Sequence, residues 1–223
     1  RDRLAVRAHA LTMTYTDVIA ALEESADEKY KAFSVRLLRT GKKVYGVRTP
    51  VLRTLSKRIK REFPDYAEEF FARKEVSHEE ILLAGWMTGK SYEDNIRLLK
   101  KVIARADSWA QTDQTIGAFP WAKDKAALSR DLSDWTTGGE FEKRAFIVML
   151  MTNCMREEDF AVIERYLPAI GFGEYYVDMA AAWLIAEAVI KLPERGSVLL
   201  SAPFLTPSVI SKARRKLRES LRT

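Results

Sequence analysis

Apolar residues recur at spacings of three and four along almost the whole chain, and this pattern constrains the fold more than any other feature. Side chains with this spacing lie on one face of an α-helix, so the pattern predicts a series of amphipathic helices. We find no pair of alternating segments joined by a tight turn, which is the pattern of a β-hairpin. The predicted helices cover residues 16–38, 50–62, 65–73, 78–88, 92–106, 108–119, 123–136, 140–154, 158–168, 174–191, 195–202 and 207–221.

Several predicted helices are bounded by residues that favour helix ends. Thr49 supplies a capping hydroxyl, and Pro50 follows at the first helical position, where its missing N–H costs nothing. Residues 77–80 have the pattern of a capping box, and Pro193 ends the helix before it. About a dozen short helices with short connections favour antiparallel pairs stacked into a right-handed α-solenoid, here a single domain over residues 1–223. A compact globular all-α domain is the alternative, because no motif repeats at a period of about 40 residues.

The composition excludes several classes of protein. One cysteine, Cys154, cannot form a disulfide within the chain and favours a reducing compartment. Two histidines, His9 and His78, leave no zinc-ligand set. The longest apolar stretches, 145–151 and 179–186, are far shorter than the roughly 20 residues that cross a bilayer. With no signal-peptide pattern at the N-terminus, these features predict a cytoplasmic protein with no membrane partner.

Basic residues are concentrated in one segment that contains no acid. Between Lys29 and Arg61 the chain has twelve lysines and arginines, while the remaining residues hold 25 basic and 31 acidic side chains, a net charge of −6. Such a field attracts polyanions, and a nucleic-acid backbone is the first partner to consider. Membrane surfaces and acidic proteins also bind basic patches. Within this block we expect DNA contacts from Lys42, Lys43, Arg48, Arg53 and Lys57.

The predicted C-terminal helix, 207–221, is a second basic element with Glu219 as its single acid. Two basic elements at opposite ends of a curved solenoid can line one concave face. That arrangement suits a long charged rod such as duplex DNA and favours nucleic acid over a membrane surface. From this helix we expect DNA contacts by Lys212, Arg214, Arg215 and Arg218.

Trp109 and Asp113 are four residues apart and therefore share one face of the predicted helix 108–119. An indole beside a carboxylate makes a partly dry acidic pocket, which can stabilise a developing cation or orient an attacking water. The alternative is that Trp109 packs in the core while Asp113 is solvated or pairs with a basic side chain. The spacing alone favours this alternative.

Two further side chains stand out in apolar helices. Arg144 precedes an apolar run, where its planar fork of donors can reach a phosphate, although an ion pair with Glu140 is slightly favoured. Trp183 belongs to a helix that is apolar on nearly every side and is predicted to be interior, so the pattern favours core packing for its side chain. Glu187 is an unusual acid in these surroundings and predicts a basic partner.

These residues together carry a family resemblance. The segment 45–53, YGVRTPVLR, resembles the early GVRTPxLR signature of DNA alkylation repair proteins of HEAT-like fold, the AlkD-related glycosylases. The resemblance covers roughly residues 16–221. It continues in order through Trp109, Asp113, Arg144, the segment 175–183 (YYVDMAAAW) and the basic C-terminal helix.

The resemblance implies a C-shaped solenoid whose basic concave face holds duplex DNA, and a hydrolase that excises cationic N3- and N7-alkylated purines without flipping the base. It implies that Trp109 and Trp183 pack against the deoxyribose and backbone, that Asp113 stabilises the oxocarbenium-like sugar and positions water, and that Arg144 holds a phosphate. An alkylated purine is already a cationic leaving group and needs little acid assistance. A carboxylate near C1′ then stabilises the positive charge that develops on the sugar in the transition state. No metal or cofactor is implied, and we expect a monomer.

Two other functions stay open. The chain has Ala186 where the better-known enzymes carry an arginine, so a non-catalytic member of the fold that binds the duplex backbone is the second hypothesis. The third is a protein-interaction scaffold, a common use of helical solenoids. Glycosylase activity requires that Trp109, Asp113, Arg144 and Trp183 converge on one basic concavity.

Overall fold

A computed structural model describes residues 13–119 and 125–220, and every regular element within them is a helix. The chain divides into two compact units, Arg1–Met87 and Thr88–Thr223. The first contains α1 (Tyr15–Glu24), α2 (Glu28–Leu38), α3 (Thr49–Glu62), α4 (Tyr66–Ala72) and α5 (His78–Gly85). The second contains α6 (Tyr92–Ile103), α7 (Trp109–Ala118), α8 (Lys125–Asp131), α9 (Glu140–Asn153), α10 (Phe160–Tyr166), α11 (Tyr175–Lys191), α12 (Pro193–Leu200) and α13 (Pro207–Ser220), with 3-10 helices at Ser133–Thr137 and Leu167–Ala169.

Alternate helices of the second unit pack against one another in a row. The helix α9 contacts α7 on one side and α11 on the other, and α11 contacts α13. The helices α9 and α11 run in the same direction, because Arg144 meets Tyr176 near their N-termini, while Thr152 near the end of α9 and Trp183 at the middle of α11 line one groove. Such layering is typical of stacked helical repeats. The predicted all-α, HEAT-like solenoid class is confirmed, whereas the single domain over residues 1–223 stays a prediction.

The core of the second unit is built on α9 and α11. Both helices are apolar on nearly all sides, and such helices are interior. Residues 144–151 of α9 are all buried, and α11 buries nine of its residues. At Gly196 of α12, an added Cβ would lie 2.3 Å from the backbone nitrogen of Val189, so α12 packs directly on the backbone of α11. The predicted interior position of the helix 174–191 holds for these nine of its seventeen residues, whereas Tyr175, Trp183 and Ile190 are exposed.

In the first unit, a buried carboxylate fixes the segment that precedes α3. Glu79 on α5 accepts hydrogen bonds from the backbone amides of Tyr45 at 3.0 Å, Gly46 at 2.8 Å and Val47 at 3.3 Å. Gly46 has a φ of +87°, and a Cβ there would lie 2.5 Å from Cβ of Lys31. Both the backbone conformation and the space available therefore require glycine at this position.

The prediction of one continuous helix over 16–38 was wrong, because the chain turns at residues 25–27. The side chain of Asp27 accepts a hydrogen bond from the Tyr30 amide and so begins α2. The Asp27 amide donates to the carbonyl of Gly46 at 3.2 Å, which ties the turn to the segment held by Glu79. No glycine or proline marks this break, and the apolar periodicity continues through it.

The helix predicted over 123–136 begins outside the described residues. Within them, α8 ends at Asp131 and a 3-10 helix follows at Ser133–Thr137. In the parts of the chain that the structure covers, no helix combines the length and the apolar character needed to span a membrane.

Candidate active site and nucleic-acid interface

Asp113 on α7 and Arg144 on α9 form a bidentate ion pair. Nε of Arg144 donates to Oδ1 of Asp113 at 2.9 Å, and Nη2 donates to Oδ2 at 2.7 Å. Nη1 donates to the carbonyl oxygen of Tyr176 on α11 at 3.0 Å. The arginine and aspartate side chains are only 7% and 15% exposed. One guanidinium therefore links three helices of the row and holds both oxygens of the candidate carboxylate.

Burial and Arg144 act in opposite directions on Asp113. Removal from water raises the pKa of the Asp113 carboxyl above its ordinary range, because burial disfavours the charged form. The hydrogen bonds and positive charge of Arg144 lower the pKa and offset only part of this rise. The ionised state that electrostatic catalysis requires therefore depends on the arginine.

The structure agrees with some of the predictions made for Asp113, Arg144 and Trp109 and contradicts others. An Asp113 paired with a basic side chain was the alternative to a catalytic role, and such a pair is present. The partner predicted for Arg144 was Glu140, which was wrong, because Glu140 instead accepts a hydrogen bond from the Tyr176 amide at 2.8 Å. Trp109 begins α7, is half-buried and lies one turn before Asp113, so the two residues share a helix face as predicted.

Trp183 lies seven residues after Tyr176 on α11, which is roughly 10 Å along the helix axis. Its side chain is 37% exposed, so the core packing favoured by the sequence pattern was wrong for this residue. It lines an open groove of about 590 Å³. Trp183 therefore shares the row of helices with Asp113 and Arg144 but faces a groove whose lining does not include them, and the convergence of all four residues on one concavity stays a prediction.

The groove beside Trp183 has charged walls. Glu187 pairs with Lys191 at 3.0 Å, which confirms the basic partner predicted for this acid. The ammonium of Lys216 on α13 lies 6.0 Å from the centre of a Trp183 ring. The remaining charged residues of the lining are Lys125, Arg156 and Asp159. An aromatic face among several cations suits a sugar–phosphate backbone.

The basic side chains predicted to bind DNA in the first unit differ in their surroundings. Arg48 pairs with Asp27 at 2.9 Å and lies over the ring of Tyr30. The guanidinium of Arg53 lies 3.7 Å from a ring centre of Trp86, and burial lowers the pKa of this arginine. These two arginines therefore support packing within the unit as well as presenting charge.

The three lysines of this set differ in their exposure to solvent. Lys43 lies 4.0 Å from the ring centre of Tyr45 and 3.7 Å from a carboxylate oxygen of Glu23. Lys42 is half-buried and Lys57 is exposed on α3. In the ion pair between Lys43 and Glu23 both side chains are largely exposed, so this contact leaves the ammonium available to a phosphate.

The helix α13 is anchored by Asp178, a buried acid of α11. One oxygen of Asp178 accepts a hydrogen bond from the Ser208 hydroxyl at 2.5 Å, and Nζ of Lys212 lies 3.5 Å from the same oxygen. Arg215 pairs with Glu219 at 2.8 Å. The other two predicted DNA contacts of this helix, Arg214 and Arg218, are exposed.

Sequence reasoning missed two features of the site. The carbonyl oxygen of Tyr176 takes part in fixing Arg144, and a backbone acceptor leaves no signal in a pattern of side chains. Lys216 was visible within the basic C-terminal helix, but nothing in the sequence indicates that it approaches Trp183. No cluster of histidine, cysteine, aspartate and glutamate able to hold a metal ion occurs within residues 13–119 and 125–220.

Comparison with known proteins identifies the family. A family model described as DNA alkylation repair enzyme matches residues 18–217, a span that includes every candidate site residue except Arg218. No curated protein sequence is significantly similar to the chain. The match extends over far more than half of the sequence and agrees with the resemblance carried by the signature segment and the Trp–Asp–Arg–Trp set. The chain belongs to the DNA alkylation repair enzyme family.

Proposed function

We propose that this protein is a DNA glycosylase that hydrolyses the N-glycosidic bond of cationic N3- and N7-alkylated purines in duplex DNA without flipping the base. The main support is the meeting of Asp113 and Arg144 in a largely buried pair. Trp109 lies one turn away on α7, and Trp183 faces a charged groove on the same row of helices. Membership of a DNA repair family supports duplex DNA as the partner.

The chemistry matches the residues present. Alkylation at N3 or N7 makes the purine a cation, so the bond to C1′ can break with its electron pair leaving on the base, which becomes neutral. Positive charge then develops on the sugar, where the carboxylate of Asp113 stabilises it. Water adds to C1′ and loses its proton to Asp113 or to solvent. No acid is needed to protonate the leaving group.

Arg144 can support this reaction in two ways at once. A guanidinium has five N–H donors, and Asp113 and the Tyr176 carbonyl occupy three of them. The two remaining donors, one on each terminal nitrogen, suit a phosphate oxygen of the lesion strand. The same contacts that hold Asp113 ionised would then set its position relative to the sugar.

An excision assay tests the proposal. Duplex DNA containing 7-methylguanine or 3-methyladenine is incubated at low salt, and the released base is measured by mass spectrometry. We expect Asp113→Asn to reduce release by about 100-fold or more, the usual cost of losing electrostatic stabilisation of a transition state. Asp134→Asn is the matched control, because Asp134 forms an exposed ion pair with Lys100 in the same unit. Wild-type rates from a folded Asp113→Asn protein would refute the role of this carboxylate.

One observation favours a second candidate function. Arg144 donates one hydrogen bond to each oxygen of Asp113, so the carboxylate already has a cationic partner before any substrate binds. A member of the family that only binds duplex DNA would keep such a pair for stability. This candidate predicts duplex affinity that falls steeply with salt and no base release from any alkylated duplex.

A further inference from the structure

The helix α2 exposes large apolar side chains. Phe33, Val35 and Leu37 are 51%, 47% and 48% exposed, and Ser34 and Leu38 are the buried residues of this eleven-residue helix. Isolated apolar residues are common on protein surfaces, but Phe33 and Leu37 are one helical turn apart and form a small contiguous apolar surface. Apolar surface of this kind can contact another molecule.

The spacing of these residues places two of them in line with a cation. Lys29, Phe33 and Leu37 are separated by four residues each, so they follow one another along a single helix face. Arg36 lies one turn from Phe33 on the same side of the helix. Val35 lies on the opposite flank, because two residues correspond to about 200° of rotation. We refer to Lys29, Phe33, Arg36 and Leu37 as the α2 strip.

An aromatic and a basic residue lie beside the α2 strip. The ring of Tyr30 is tilted against Phe33 with 6.3 Å between ring centres. Arg48, which precedes α3, lies over the Tyr30 ring, with its guanidinium carbon 4.9 Å from the ring centre. These contacts hold the Phe33 ring in place while leaving half of its surface exposed.

The charge around the strip favours a polyanion as its partner. The strip lies within the segment between Lys29 and Arg61, which has twelve basic residues and no acid. A lipid surface is less suitable, because membrane-bound helices need a broad apolar face and the strip offers two apolar side chains. In DNA-bending proteins, apolar side chains flanked by cations insert between base pairs from the minor groove.

We propose that the α2 strip acts as a wedge in duplex DNA, with Phe33 and Leu37 inserted between base pairs from the minor groove and Lys29 and Arg36 on the flanking phosphates. This inference rests on the proposed binding of duplex DNA but not on base excision. Insertion separates stacked bases at the cost of a few kcal/mol, which contacts with the bent duplex offset. The protein would therefore distort the duplex when it binds.

Fluorescence of a duplex containing 2-aminopurine tests the wedge, because this base is quenched when stacked and brightens when unstacked. We expect wild-type full-length protein to raise the fluorescence, and Phe33→Ala or Leu37→Ala to abolish the rise and weaken binding about tenfold. Val35→Ala is the matched control, since Val35 is equally exposed on the same helix but outside the strip. Lys29→Ala and Arg36→Ala should keep the fluorescence rise and lower the salt slope of binding by about 0.9 each.

The outcomes separate this inference from the proposed function. Loss of the fluorescence rise in the strip variants, together with competition by the minor-groove ligand netropsin, supports the wedge. If Phe33→Ala and Leu37→Ala raise the 2-aminopurine fluorescence as much as wild type and still excise alkylated bases, the wedge is overturned while the proposed function stands. Strip variants that lose binding to phosphatidylglycerol vesicles but keep the 2-aminopurine signal also overturn it and assign the strip to a membrane. If wild-type protein does not bind duplex DNA at all, the proposed function fails together with the wedge.

Discussion

Replacing Arg144 by glutamine should make the stability of the protein depend on pH in a defined direction. The substitution removes three donated hydrogen bonds and leaves Asp113, 15% exposed, without its cation. Removing one partner of a buried ion pair typically lowers the free energy of unfolding by about 3–5 kcal/mol. We expect about 3 kcal/mol at pH 8, because glutamine can still donate one or two hydrogen bonds.

The loss should shrink as the pH falls. Burial already raises the pKa of Asp113, and without Arg144 it should rise further. A carboxyl whose folded-state pKa lies above its unfolded value favours the folded protein below the unfolded pKa, and this contribution disappears as the pH rises through the folded value. Because the unfolded chains titrate alike, the difference between wild type and Arg144→Gln should grow between the folded-state pKa of Asp113 in wild type, already raised by burial, and its higher pKa in the variant, and should level off above the latter.

Urea unfolding at several pH values between 4 and 8 measures this difference. The double variant Asp113→Asn/Arg144→Gln is the control, because it removes both charges while keeping side chains of similar size. It should be more stable than Arg144→Gln at pH 8, and its difference from wild type should vary less with pH. A stability loss in Arg144→Gln that is the same at pH 4 and pH 8, or an unchanged free energy of unfolding, would contradict the assigned coupling.

Two further predictions concern stability and reactivity away from this pair. Gly46→Ala should lower the free energy of unfolding by about 2 kcal/mol or more, because φ is +87° and the added Cβ would lie 2.5 Å from Cβ of Lys31. Thermal unfolding measures this loss. The control is Gly171→Ala, where an added Cβ meets nothing within 4 Å. Burial raises the pKa of the fully buried Cys154 thiol to about 12, so iodoacetamide should modify the native protein at pH 8 far more slowly than the urea-unfolded chain; equal rates would show that the thiol is accessible.

The helices could be predicted from the sequence because their signals are local. The capping box of Ser77 and Glu80 acts within one turn and marks the start of α5, and Pro50 lies in the first turn of α3. The capping role predicted for Thr49 was wrong, because Thr49 is the first residue of α3 and no side chain caps this helix. The break at 25–27 could not be predicted, because it depends on a hydrogen bond from the Asp27 amide to Gly46, a residue on another segment. Local patterns cannot indicate a turn that a distant part of the chain stabilises.

The candidate site shows the same division between local and distant effects. Trp109 and Asp113 share a face because of their spacing, which the sequence displays directly. The choice of Asp113 over Glu140 as the partner of Arg144 depends on how α7 and α9 pack. The exposure of Trp183 likewise depends on neighbouring helices, because the composition of its own helix favours the interior.

The three backbone hydrogen bonds to Glu79 have a consequence for how this family is recognised. The most recognisable sequence of the chain, YGVRTP, includes amides held by an acid on another helix and a glycine required by space and conformation. The contacts that restrict the residues of this segment hold the first unit together and take no part in cleaving a glycosidic bond. A chain can therefore keep this sequence intact after losing its catalytic ability. Searches that rely on it will gather relatives of shared architecture, and, under the proposed function, active enzymes among them would be distinguished by the residues at the positions of Asp113 and Arg144.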